Sequence, residues 1–195
     1  MAIGRPRAFD ADKALDRALQ VFWRKGYEGS SLTELTRAMG INPPSLYAAF
    51  GNKEALFRRA LDRYSEKAAA CMRDCLNAPT AREAVEKLLR ETADHLSDPH
   101  TPHGCLLVQG ALSCGEEADP VRQELAARRR ATEAALRERF KRAKVEGDLA
   151  AGADPASLAR FIATVTQGMA VQAAGGASRK DLRQIAETAL HAWPG

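Results

Sequence analysis

Long hydrophobic runs are missing from this 195-residue chain. No stretch of about 18 consecutive apolar residues occurs, so neither a membrane-spanning helix nor a membrane partner is expected. The first residues, MAIGRPRAFD, lack the apolar core of a secretory signal, and a cytoplasmic location is the expectation. Cysteine is sparse: Cys71, Cys75, Cys105 and Cys114 contain no CxxC pair, which without an export signal points to free thiols rather than a disulfide framework. Clusters of β-branched residues are few and no alternating stretch reads as a strand. There is no Ser-His-Asp arrangement, phosphate-binding loop or carboxylate pair that would mark an active site. An enzyme is therefore not expected, and no cofactor is implied.

What is present suits a folded, helical protein. At 45% hydrophobic residues the chain is too apolar to be disordered and can build a core. Residues 1–60 hold 10 Lys+Arg and 6 Asp+Glu, and the other 135 hold 19 of each, so the +4 excess lies entirely in the first third. That asymmetry hints at a polyanionic partner for the N-terminal part, although many basic faces are only solvated surface.

Between its glycines and prolines the chain reads as helix almost throughout, which makes the fold class all-α. A first helix spans Asp10 to Lys25, buries Leu15, Ala18, Leu19 and Phe22, and stops at Gly26, a residue able to adopt a left-handed C-cap. Ser31-Leu-Thr-Glu34 fits a capping box and opens a second helix with Leu32, Leu35 and Met39 inward, ending at Gly40. Asn42 caps a short third helix that takes Pro43 in its first turn, points Leu46 and Phe50 inward and closes at Gly51. These residues, 1–51, form one expected domain, and 52–195 a larger one.

In the larger domain Asn52 caps a long helix whose stripe Phe57, Leu61, Tyr64, Ala68, Cys71, Met72 and Cys75 reads as one buried face. Thr80 and Glu83 repeat the capping-box spacing and start a fifth helix running to Leu96. A loop over 97–104, a short apolar piece from Cys105 to Ser113 and a loop over 115–120 follow. The helix from Val121 to Val145 carries Arg128-Arg129-Arg130, which reads as a solvated, salt-bridged face. Asp154-Pro155 caps an apolar helix to Ala174, and Ser178 to Asp181 caps a last one ending near Trp193. The apolar faces of these two are too broad for helices packed on one side only, which suggests a subunit interface built on Phe161, Val165, Met169, Ile185 and Leu190.

Ser31 to Phe50 is the informative stretch: two short helices joined through a glycine turn, the arrangement in which a second helix enters a DNA major groove. A plain helical hairpin has the same outline. Its neighbours narrow the choice. Arg5-Pro6-Arg7, ALQVFWRKG over 18–26, Ser31-Leu-Thr-Glu-Leu, Ala38-Met-Gly-Ile, Ser45-Leu-Tyr-Ala-Ala-Phe and Gly51-Asn-Lys-Glu-Ala-Leu together resemble the N-terminal domain of TetR-family transcriptional regulators. The match is continuous over residues 5–60 and fixes spacing as well as residue type.

The resemblance implies a homodimeric repressor in which a three-helix DNA-binding domain binds double-stranded operator DNA. A larger helical domain would bind a small-molecule inducer or electrophile and dimerise through its last two helices. Pro44, Ser45, Tyr47 and Ala48 would then face the groove. In similar proteins Tyr47 reaches a phosphate, and Lys53 adds a cation beside helix-terminal amides that favour an anion. Ser31 and Thr33 can also reach phosphates, and Arg5 and Arg7 form a basic arm suited to a narrow minor groove. Where family members often have basic or small polar residues this chain has Pro43-Pro44, and Ala48 stands where a histidine is frequent. Readout would therefore rest on Ser45, apolar contact with thymine methyls and DNA shape.

In the larger domain Tyr64, Met72, Gln109 and Gln167 offer polar or soft handles on an apolar wall, as ligand pockets need, and core packing explains them equally well. Cys105 follows a loop and starts an apolar helix, whose dipole favours a thiolate, and Gly104-Cys105-Leu-Leu resembles the reactive-cysteine region of some electrophile- and oxidant-sensing members. Cys71 and Cys75 share the buried stripe and read as core. His95, His100, His103 and Cys105 have a spacing that could supply metal ligands, but no fourth is assured and no metal site is expected. An alternative function is a helical protein-binding module that does not bind an operator.

Overall fold

The computed structural model describes residues 9–112 and 118–194, and among them only helices occur as regular structure. Arg5, Arg7 and Cys114 lie outside the described residues. The helices are α1 (Ala11–Lys25), α2 (Leu32–Met39), α3 (Pro43–Phe50), α4 (Lys53–Leu76), α5 (Ala81–Leu96), α6 (Leu106–Leu112), α7 (Asp119–Val145), α8 (Pro155–Ala174) and α9 (Arg179–His191). Most starts coincide with the expected caps, and Asp10, expected as the first helical residue, is itself the cap of α1. Asp10, Ser31, Asn42, Asn52, Thr80, Asp154 and Ser178 each accept from backbone amides of the first turn, and Ser31–Glu34, Thr80–Glu83 and Ser178–Asp181 close reciprocal capping boxes. Gly40 ends α2 at φ 70°, ψ 33°, the left-handed region a side chain avoids. Gly26 instead combines φ 71° with ψ −178°, so its cap is not the left-handed one expected.

Two hydrophobic clusters organise the chain. The first joins Leu15, Ala18, Leu19, Phe22 and Trp23 of α1, Leu35 and Met39 of α2 and Leu46 and Phe50 of α3 to Leu56, Phe57, Ala60, Leu61 and Tyr64 of α4, with Leu106, Val121 and Leu125 at its border. Leu32 only packs against its edge, half-buried. The expected division at residue 51 cuts through this core, because α4 supplies the wall that α1 and α3 pack on. The second cluster gathers α5, the C-terminal half of α7, α8 and α9, with Cys75 from the last turn of α4.

The long stripe on α4 is not continuous. No residue from 65 to 74 is buried; Ala68 and Cys71 are exposed, and Met72 is half-buried. Cys71 is therefore not core, whereas Cys75 is, and burial pushes the Cys75 thiol up to about 12. The reason is geometric: α4 leaves one core after Tyr64 and joins the other only at Cys75. Polar contacts hold the helix where it leaves the first core. Arg128 of α7 donates to Asp62 (2.6 Å), Ser65 (2.9 Å) and Glu124 (2.9 Å), and Arg129 donates to the carbonyl of Leu107. Only Arg130 of that arginine run is the exposed residue expected; its two predecessors bind α7 to α4 and α6. Arg139, 5% exposed, donates to the carbonyls of Leu76 (3.0 Å) and Ala78 (3.1 Å) and so caps the end of α4 from inside.

Helices α8 and α9 leave an open groove of about 680 Å³, lined by Phe161, Val165, Ile185 and Thr188 among others. Phe161 (39% exposed) and Val171 (47%) stand out to solvent, and Val165, Ile185 and Leu190 are half-buried. Met169 is fully buried in the protomer's own core, so it does not belong to this face as expected; its helical phase places it beside Ala170 and Ala173 instead. No described helix is long and apolar enough to cross a membrane.

The capping carboxyls make the fold sensitive to acid. A backbone amide holds Asp10 below its usual value, the Lys25 amine does so for Glu34, and the hydroxyls of Ser157 and Ser178 do so for Asp154 and Asp181. A folded-state value below the unfolded one contributes stability above the ordinary carboxylate range and loses it as pH falls through the folded value. The urea midpoint should stay flat near neutrality and drop below about pH 4, and Asp181→Asn should shrink that drop.

Candidate nucleic-acid interface

The pair α2–α3 is built from local signals. Gly40 turns the chain, its amide and that of Ile41 bonding back to α2 carbonyls, and Asn42 Oδ1 accepts the Ser45 amide at 2.8 Å. Leu46 is fully buried and Phe50 4% exposed, which fixes the roll of α3 against α2 and α4. The outer face is then decided. Tyr47 is 52% exposed, Pro44 and Ala48 are exposed and Ser45 is half-buried. Arg59 of α4 donates to the Ala49 carbonyl at 3.0 Å and lies 4.9 Å from the Phe50 ring, a cation at the negative end of α3. Sequence reading missed Arg59, since no spacing pattern ties it to α3.

Of the residues expected at phosphates, Thr33 is exposed near the start of α2. The Ser31 hydroxyl is committed to the capping box, accepting from the Glu34 amide and donating to its carboxylate, both at 3.2 Å. Lys53 begins α4 half-buried, its amine 4.5 Å from the centre of the Tyr27 ring, and desolvation pulls its pKa below the usual value despite Glu28. Tyr27 was not singled out from the sequence; it follows the glycine after α1, far from Lys53 in the chain. Lys25 pairs with Glu34, tying the end of α1 to the start of α2.

A second constellation joins this half to the rest. Trp23, near the end of α1, donates its indole N–H to the Gly104 carbonyl at 3.0 Å and meets the Tyr64 ring edge-on at 4.8 Å. Tyr64 donates its hydroxyl to Cys105 Sγ at 3.2 Å, and burial drives its phenol well above its ordinary value. Cys105 is half-buried and its carbonyl accepts the first amides of α6, so the thiol stands at a helix start as expected, with a phenol as its partner. Tyr64, 7% exposed, packs between Trp23 and Cys105. Met72 packs on the second core, Gln109 lies against Gly104 and Gln167 is half-buried on α8. None of the four lines the α8–α9 groove or the smaller cleft beside Arg59 and Arg63. Among the described residues no three His, Cys, Asp or Glu side chains converge as metal ligands.

Because Leu46 alone anchors the middle of α3, Leu46→Ala should cost about 2–5 kcal/mol in denaturant unfolding, the range for emptying a buried leucine site.

The geometry can be set beside known proteins. The family model for bacterial regulatory proteins of the tetR family matches residues 14–60, and that for the tetracyclin repressor-like C-terminal domain matches residues 81–189. The HTH-type transcriptional repressor ComR of Escherichia coli (strain K12) is 35% identical over 193 residues, covering 98% of this chain and 92% of that protein. The repressor BdcR of the same strain is 38% identical over 117 residues, 59% of each chain. In structure, a cysteine mutant of the TetR-family regulator CifR, solved with 26-bp double-strand operator DNA, superposes with a TM-score of 0.95 at 50% identity, covering 98% of this chain and all of that one. Matched in both halves by family models and along nearly its whole length by ComR and CifR, the chain belongs to the TetR family of bacterial regulatory proteins.

Proposed function

We propose that the chain is a transcriptional repressor that binds operator DNA as a homodimer and is released by a small-molecule inducer or by modification of Cys105. The observation that carries the reading is the split character of α3: Leu46 and Phe50 are sunk in the core while Pro44, Tyr47 and Ala48 stand exposed beside the start of α4. A helix held so rigidly from behind presents a fixed outer side, which groove docking needs. Tyr47 and Lys53 serve the phosphates. Tyr27 holds Lys53 near the helix start, where backbone amides already favour an anion. Ser45 is the polar contact to a base edge, Thr33 a further phosphate contact, and Arg5 and Arg7 supply a minor-groove arm. Ser31 contributes by capping α2.

Dimerisation follows from the apolar groove and projecting side chains of α8 and α9, with Phe161, Val165, Ile185 and Leu190 as its members. The domains are residues 1–51 for DNA and 52–195 for ligand and partner, with α4 serving both. Release is a population shift: modification or an inducer among Tyr64, Met72, Gln109 and Gln167 favours a dimer whose two α3 helices no longer fit successive half-sites. Of the two triggers the thiol has the firmer support, because Tyr64 and Trp23 link its surroundings to α1. A protein-binding module remains the second reading, favoured by the absence of any charged residue on α3.

Fluorescence anisotropy with duplex DNA flanking the chain's own gene tests the function; no binding, with or without reductant, favours the second reading. Tyr47→Ala combined with Lys53→Ala should weaken binding and flatten the log-affinity against log-salt slope by about 1–2, as expected for lost phosphate contacts. An unchanged slope removes both from the phosphates. Phe161→Glu with Ile185→Glu should convert the dimer to a monomer in light scattering while helical circular dichroism persists.

A further inference from the structure

We infer that Trp23 is the residue through which the state of Cys105 is transmitted to the DNA-binding half, its indole N–H on the Gly104 carbonyl acting as the latch between α1 and the start of α6. This rests on the proposed release by thiol modification and names its route. Trp23 is 7% exposed and lies where the two halves meet. It touches the immediate surroundings of the thiol twice. Through its N–H it holds the carbonyl of the residue that precedes Cys105, at 3.0 Å across 81 residues of sequence. Through its ring it meets Tyr64 in a T-shaped contact, and the Tyr64 hydroxyl donates to the sulfur at 3.2 Å.

Gly104 takes φ +89°, a backbone conformation that side chains rarely adopt, so its carbonyl is aimed by a shape that a side chain there would strain. A group added to the sulfur takes the place of the Tyr64 hydroxyl, which donates to it at 3.2 Å, and where it packs inward it also moves the start of α6. Either movement reaches Trp23, leaving a buried donor unpaired or the ring contact broken. Trp23 sits in the last turn of α1, the helix against which α2 packs, so strain delivered there falls next to the α2–α3 pair rather than on solvent.

The test uses the full-length protein and iodoacetamide, which forms an S–C bond as iodide leaves and the thiol proton passes to buffer. Operator affinity is compared before and after alkylation in the wild type, Cys105→Ser and Trp23→Phe, the last keeping an aromatic ring and removing the donor. The wild type should lose about tenfold in affinity, within the usual range for coupled sites, while Cys105→Ser and Trp23→Phe each lose less than about threefold. With 15N-tryptophan labelling, the Trp23 indole resonance, identified by its persistence in Trp193→Phe, should shift on alkylation. Equal loss in Trp23→Phe and wild type, or an unmoved Trp23 resonance, overturns the latch and leaves Cys105 as the trigger. Retention of operator by the alkylated wild type, with Cys105 modified, overturns the trigger and the latch together.

Discussion

Everything in this molecule depends on α4 belonging to two cores at once. Its first half, Leu56 to Tyr64, closes the hydrophobic centre of the N-terminal helices, and its last turn, at Cys75, enters the centre formed by α5, α7, α8 and α9. Three short helices alone would leave Phe22, Leu35 and Leu46 with too little to pack against, since small domains bury too small a fraction of their surface. Sharing α4 solves that problem and has a consequence: the outer side of α3 is positioned by a helix whose other end answers to the rest of the chain.

Where it leaves the first core α4 is held by charge. Arg63 reaches back to Asp12 (2.7 Å) and Asp16 (3.0 Å) of α1, and Arg128 reaches across from α7 to Asp62 and Ser65. Exposed ion pairs of this kind contribute little stability individually, commonly under about 1 kcal/mol. Their value here is directional. They fix how α4 rolls at the point where it leaves the first core. The Trp23–Gly104 hydrogen bond differs in kind. It is buried, and breaking it leaves a donor without water, which makes it the more discriminating link between the halves.

Much of this was legible beforehand because much of it is local. A cap is decided by a side chain and amides two or three residues away, so Asp10, Ser31, Asn42, Asn52, Thr80, Asp154 and Ser178 announce their helices. The inward Leu46 and Phe50, four apart on one turn, likewise dictate which side of α3 is left exposed. The misreadings share one cause. Periodicity shows that a face is apolar but not what stands opposite it, so Ala68 and Cys71 looked buried, Met169 looked available to a partner, and Arg128 and Arg129 looked solvated.

The order of helices, their ends, the glycine turn of the α2–α3 pair and the apolar character of α8 and α9 were therefore determined by the sequence, through interactions spanning a turn or two of backbone. Tertiary structure alone decided the continuity of the two halves through α4, the internal cap by Arg139, the ring beneath Lys53 and the contact of Trp23 with the residue before Cys105. Each of these joins groups that the chain keeps far apart, up to 81 residues for Trp23 and Gly104, and no local pattern encodes a partner that only packing brings near.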